Sequence, residues 1–214
     1  MACLQHRSNS NGRRHDVSLV ERYDRIRRQG SDQEFPIKRV HQEDFCQALG
    51  IVPETKYQKE GGPSLKDCFK LLREVSSTPV IDLARLLDAV IFNYLVGNND
   101  AHGKNFSLLY PGAGTGDIQV LYDVVSTVYF PELSREMAMK IGSEYSSKKV
   151  TLRNFEKLAE EAGLARPLVR RRVPELADAM LTTLPILDAT NPVAEGVTAL
   201  IKKRSEKVRF SFRK

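Results

Sequence analysis

The strongest pattern along the chain is helical. Leu83, Leu86, Leu87, Val90, Ile91, Tyr94 and Leu95 recur at three- and four-residue intervals. Thr78 as N-cap, Pro79 at the first helical position and Gly97 as a stop predict a helix over Pro79–Val96. That helix is apolar enough to be the central core element. A second helix is predicted over Leu65–Val75, and a shorter one over 41–50, ended by Gly50. Two short apolar runs, 105–110 and 118–122, flank Pro111-Gly112-Ala113-Gly114-Thr115-Gly116 and predict a β-hairpin with an exposed tip. Downstream the chain reads as helical: 151–162, with Leu152, Phe155, Leu158 and Ala159 on one face, then 167–184 and 193–208. Near the start, Val17-Ser18-Leu19-Val20 reads as a short strand. Residues 1–15 are polar and unpatterned and are expected to lack order, which sets a tail over 1–16 and a single lobe over 17–214. The fold class expected is mainly α with one embedded hairpin.

Composition narrows this picture. The 214 residues, 41% hydrophobic, suit one domain or two small ones. No apolar run of about 18 residues occurs, so no membrane span is expected. Met1 to His15 contains no apolar stretch of the secretory kind. Cys3, Cys46 and Cys68 are too sparse for a disulfide framework; they fit a reducing cytoplasm, with Cys46 and Cys68 as small buried hydrophobes. No His/Cys spacing suggests zinc. The formal charge of +6 is concentrated at Arg170-Arg171-Arg172, at Lys202-Lys203-Arg204 and at both ends of the chain. Those clusters read as solvated faces, or as contacts for nucleic acid or an acidic protein.

The candidate chemistry begins where the long helix ends. Phosphoryl transfer needs a carboxylate to orient the attacking hydroxyl and take its proton, and oxygen donors to hold Mg²⁺ against the phosphates. Asp100 lies in the loop after the helix, and Asn105 follows five residues later. The predicted hairpin comes next, and Asp123 follows it. Lys104 is placed to neutralise phosphate charge, and His102 to hydrogen-bond beside the base or reach a phosphate. Asn98-Asn99-Asp100 alone also reads as a capped turn; the joint order of helix, Asp, Asn, hairpin and Asp carries the signal. Ser126 and Thr127 read as caps near the second aspartate.

At these residues the chain resembles a known family. Gly97-Asn98-Asn99-Asp100-Ala101-His102-Gly103-Lys104-Asn105-Phe106-Ser107 resembles the catalytic loop of HipA-type kinases, the toxins of HipA/HipB toxin–antitoxin pairs. Val20-Glu21-Arg22-Tyr23-Asp24-Arg25 resembles their hinge, 41–50 their signature helix, Lys56-Tyr57 with Gly61-Gly62-Pro63 the loop after it, and Leu121-Tyr122-Asp123-Val124-Val125-Ser126 their metal-binding segment. The resemblance covers residues 17 to about 165 in the family's order. It implies a protein-kinase-like C-terminal lobe that uses ATP and Mg²⁺. Asp100 would be the catalytic base, Asn105 and Asp123 the metal ligands, and His102 and Lys104 the phosphate contacts. Glu21 and Tyr23 would offer main-chain groups to adenine. The implied substrate is a protein serine or threonine, with aminoacyl-tRNA synthetases, glutamyl-tRNA synthetase foremost, as the substrate class. The implied partner is a HipB-like helix-turn-helix antitoxin, through which DNA would be met only indirectly.

The likeness stops short of the family's N-terminal lobe. Only about 16 residues precede Val17, and no glycine-rich loop or strand-borne lysine is found among them. A lobe supplied by another polypeptide, or lost, is therefore expected, with little activity in the isolated chain. A non-catalytic module binding the antitoxin or operator DNA through the basic clusters is the alternative reading.

Overall fold

The computed structural model describes residues 2–8, 14–20, 22–27, 37–110, 117–118, 122–187, 189 and 191–212. The chain divides into two compact units, 1–42 and 43–214.

In the first unit, strand β1 (Ala2–Ser8) pairs antiparallel with β2 (Arg14–Val20), Ala2 opposite Val20 and Ser8 opposite Arg14. Polar composition suggested no order for residues 2–8. A ladder is made by main-chain groups, however, and polar side chains do not preclude it. The strand expected at 17–20 is the second half of β2. Strands β3 (Arg25–Arg27) and β4 (Ile37–Arg39) form a second antiparallel pair. Between β2 and β3 the buried Asp24 accepts from Arg22 Nε (2.8 Å) and Nη2 (2.7 Å) and from Arg25. The hydrogen bond from Arg22 leads the set of interactions that hold this carboxyl at about 2, against the desolvation that opposes it.

Strand β5 (His41–Asp44) runs through the division and enters a three-stranded sheet with β6 (Ser107–Tyr110) and β7 (Asp117–Ile118). The helix expected over 41–50 is therefore only α1 (Phe45–Ala48). Asp44 is its N-cap: extended at φ −73°, ψ 164°, it accepts from Gln47 N at 2.9 Å, so the helix cannot start earlier. The hairpin after the loop is present, with Leu108 opposite Ile118 and Leu109 opposite Asp117. Its tip lies outside the described residues.

Helix α2 (Leu65–Val75) begins at a capping box between Ser64 and Asp67. Helix α3 (Pro79–Val96) has the predicted bounds, but Thr78 makes no side-chain cap; Ser76 Oγ accepts from Thr78 N instead and donates to the buried Asp82. Leu86, Leu87, Ile91 and Leu95 of α3 are fully buried, among Phe45, Phe69 and Phe155. A second hairpin, β8 (Glu136–Ile141) with β9 (Glu144–Ser146), was not expected. Helices α4 (Leu152–Ala162), α5 (Arg166–Thr183) and α6 (Pro192–Phe212) complete the unit. Phe212 of α6 meets Phe155 edge-on, and Phe155 meets Tyr94 of α3 likewise. The half-buried Arg204 of α6 donates to the Tyr94 and Leu95 carbonyls in the last turn of α3, where the Tyr94 carbonyl also accepts from Gly97 N. Cys46 and Cys68 are buried free thiols. No helix among the described residues is long and apolar enough to cross a membrane.

Candidate active site

The end of α3 fixes the start of the loop. Gly97 adopts φ +77°, in the left-handed region, and a Cβ there would lie 3.1 Å from Val128 Cβ. The next residues are held from several directions. Thr127 Oγ1 accepts from Asn99 N at 2.7 Å and donates to Gly97 O at 3.2 Å. Val128 N also donates to Gly97 O, at 3.0 Å, and Ala138 N of β8 to Asn99 O, at 2.7 Å. Asn98 Nδ2 donates to Asn93 Oδ1 (2.9 Å) and Asp123 O (3.5 Å), while Asn98 Oδ1 accepts from Asp100 N (3.1 Å). Thr127 therefore acts as the cap expected of it. Ser126 does not: its Oγ is buried with no partner among the described residues.

Asp100 follows on this platform, half-exposed. Its Oδ1 accepts from Tyr57 Oη at 2.8 Å. Its Oδ2 lies 3.9 Å from His102 Nε2 and accepts no hydrogen bond among the described residues. A cleft of about 470 Å³ opens beside it, lined by Tyr57, Glu60, Asp100, Leu133 and Glu136 among others. His102 is buried, and its Nδ1 has no partner among the described residues. Burial, then the charge of Lys56, push the imidazole below its ordinary value against the opposing pull of Asp100 and Asp123. The ring is therefore neutral at neutral pH.

A tight turn over Gly103–Asn105 follows. The Lys104 carbonyl accepts from Tyr122 Oη at 2.6 Å, which ties the turn to the segment carrying Asp123. Lys104 itself has no ion-pair partner among the described residues. The buried Asn105 donates from Nδ2 to Asp100 O at 3.3 Å, and its Oδ1 accepts nothing among the described residues. Asp123 is exposed at φ +57°, the one described non-glycine residue in the left-handed region. Asp tolerates that conformation better than bulkier residues. Its carboxylate has no partner among the described residues. An amide oxygen and a free carboxylate are hard donors that suit Mg²⁺ rather than zinc or copper, so the residues present fit the expected ion.

Asp100, His102, Lys104 and Asn105 thus form one loop, with Asp123 attached to it through Asn98 and Tyr122. Tyr23 belongs to the first unit, where its hydroxyl donates to Gln42 Oε1 at 3.1 Å; Glu21 lies outside the described residues. Tyr57 carried no role in the sequence reading. Its bond to Asp100 spans 43 positions and had no local signal.

The model of the HipA-like C-terminal domain matches residues 2–184. Y4mE of Sinorhizobium fredii is 54% identical over 160 residues, covering 75% of this chain and 37% of that protein. The serine/threonine-protein kinase toxin HipA of Shewanella oneidensis is 29% identical over 193 residues, covering 82% and 43%. The chain spans less than half the length of these curated relatives. Among solved structures, HipA in a Shewanella oneidensis complex of HipA, HipB and operator DNA superposes with a TM-score of 0.78 at 24% identity, covering 98% of this chain and 54% of that one. The fold is accordingly a protein-kinase-like, mainly helical lobe.

Proposed function

The chain belongs to the HipA-like C-terminal domain family, and on that premise we propose that it carries the catalytic loop of a serine/threonine protein kinase, transferring the γ-phosphate of ATP to a protein hydroxyl. What supports this most directly is Asp100, with one carboxylate oxygen held by Tyr57 and the other turned free beside a cleft.

Asp100 takes the proton of the acceptor hydroxyl as its oxygen attacks the γ-phosphorus, and the bond to the bridging oxygen breaks so that ADP leaves. Lys104 offsets charge on the transferred group. His102, buried and with Nδ1 unpartnered among the described residues, would contact phosphate together with Lys104. Asn105 and Asp123 would hold Mg²⁺, which would supply positive charge against the phosphates. Main-chain groups of Glu21 and Tyr23 would receive adenine. The substrate is a protein, with an aminoacyl-tRNA synthetase as the class the family resemblance implies. The partner is a HipB-like antitoxin, a reading supported by the complex in which the solved relative stands.

The test, with an N-terminal lobe supplied, is Mg²⁺-dependent ATP binding by calorimetry, followed by phosphate transfer to protein. ATP binds with Mg²⁺, and Asp123→Ala abolishes the Mg²⁺ dependence. Asp100→Asn retains binding and loses about 100-fold or more of transfer. Absence of ATP binding even with the N-terminal lobe supplied, or full transfer by Asp100→Asn, refutes the reading.

A further inference from the structure

The Tyr57 hydroxyl meets Asp100 because two segments share one support. The Tyr57 carbonyl accepts from Glu60 N and Gly62 N, each at 2.9 Å, which closes a single tight turn over Gln58–Glu60. Gln58 Oε1 accepts from Lys140 N at 2.9 Å, and Lys59 pairs with Glu136. Both partners lie on β8, the strand whose Ala138 N also binds Asn99 O beside Asp100. The phenol ring is held as well: it stands edge-on to His102, with centroids 5.6 Å apart at 81°, and Lys56 Nζ lies 5.1 Å from its centroid.

An aspartate side chain turns readily about its last bond and can present either oxygen, so an unfixed base loses orientation at each turnover. One donor fixed on Oδ1 removes that freedom and leaves Oδ2 as the free oxygen. Burial, then the hydrogen bond to Asp100, push the phenol up to about 12, so it remains a donor throughout the physiological range.

We propose that Tyr57 is a positioning residue for the acceptor-side reaction: its hydroxyl pins Asp100 Oδ1 so that Oδ2 is the oxygen presented to the acceptor hydroxyl in the adjoining cleft. This rests on the phosphotransfer reading above and names a residue that reading does not require.

The 214-residue chain, with ¹³C-labelled tyrosine rings, is titrated by NMR; the Tyr57 Cζ resonance is the one missing from Tyr57→Phe. In Asp100→Asn this resonance ionises about one pH unit lower than in wild type, since the charged acceptor is gone. An unchanged midpoint overturns the proposal and needs no activity to be read. In Mg²⁺-ATP assays Tyr57→Phe lowers kcat about tenfold with KM for ATP unchanged, the loss of one hydrogen bond to a charged group. An unchanged kcat, with Asp100→Asn inactive, refutes the role of Tyr57 alone. Full transfer by Asp100→Asn refutes the phosphotransfer reading itself. Should Tyr57→Phe fail to fold, the comparison of wild type with Asp100→Asn still decides, the resonance then being assigned by its ring contact with His102.

Discussion

Thr127→Val isolates the clamp behind Asp100. The valine keeps the shape of the threonine and removes its hydroxyl. In the wild type that hydroxyl accepts from Asn99 N at 2.7 Å and donates to Gly97 O at 3.2 Å, with both Thr127 and Asn99 buried. The two losses are unequal. Gly97 O still accepts from Val128 N at 3.0 Å, so it is not orphaned. Asn99 N has no second acceptor among the described residues and becomes a buried unpaired donor, which costs about 1–3 kcal/mol. The methyl of valine recovers only part of this, so the expected loss is about 2 kcal/mol. Urea unfolding measures it, with the midpoint falling and the slope constant. Thr127→Ser keeps the hydroxyl and gives up one methyl, so it loses only about 1 kcal/mol and restores transfer. The functional signature is a fall in kcat without a change in ATP affinity, because Asn99 adjoins Asp100 directly, whereas Asn105 lies farther along the loop. A Thr127→Val loss below about 0.5 kcal/mol, or one no larger than that of Thr127→Ser, refutes the claim that the hydroxyl holds the loop.

Two other perturbations test separate parts of the molecule. Gly62→Ala places a Cβ 2.5 Å from Thr55 O and 2.7 Å from Lys56 C, so the segment carrying Tyr57 must shift; thermal unfolding should register a loss of about 1–3 kcal/mol, and the Tyr57 phenol should titrate earlier by NMR. Asp24 in the first unit has its folded value lowered to about 2 by Arg22 and Arg25, below the unfolded value of about 3.9. Its contribution is therefore present in full above about pH 4 and lost as pH falls toward 2, so amide protection of Ile26 and Lys38 should decline over that window in wild type and stay level in Asp24→Asn.

Sequence reasoning succeeded where one face of an element carries its signal. Helix α3 was legible because its buried positions follow the helical period and Gly97 stops it. The loop was legible because Asp100 and Asn105 are five residues apart on one strand of sequence. Strand β8 was not legible, because Met137, Ala138 and Met139 are buried in succession, which erases the alternation that marks a half-exposed strand. The extended start at His41–Asp44 was hidden by polar residues that also suit a capped helix. Tyr57 was beyond reach for a different reason. Its partner is set by two strand-bound contacts, at Lys140 and Glu136, that only the folded chain brings together.

The same folded contacts weigh against a binding module built on the basic clusters. Arg170 pairs with Glu156, Arg171 with Glu175, and Arg172 with both Asp88 and Glu175. Three guanidinium groups therefore face three carboxylates, and the cluster presents little net charge to a polyanion. Arg172 holds Asp88 through two bonds, of 2.6 and 2.7 Å, a fork that a phosphate would have to displace. In the second cluster Lys202 and Lys203 are exposed, but Arg204 is turned inward onto the α3 carbonyls. Its position there serves the fold more than binding. It secures the last turn of the helix that delivers Gly97 and the loop, so the charge that sequence alone assigned to the surface instead helps fix the place of Asp100.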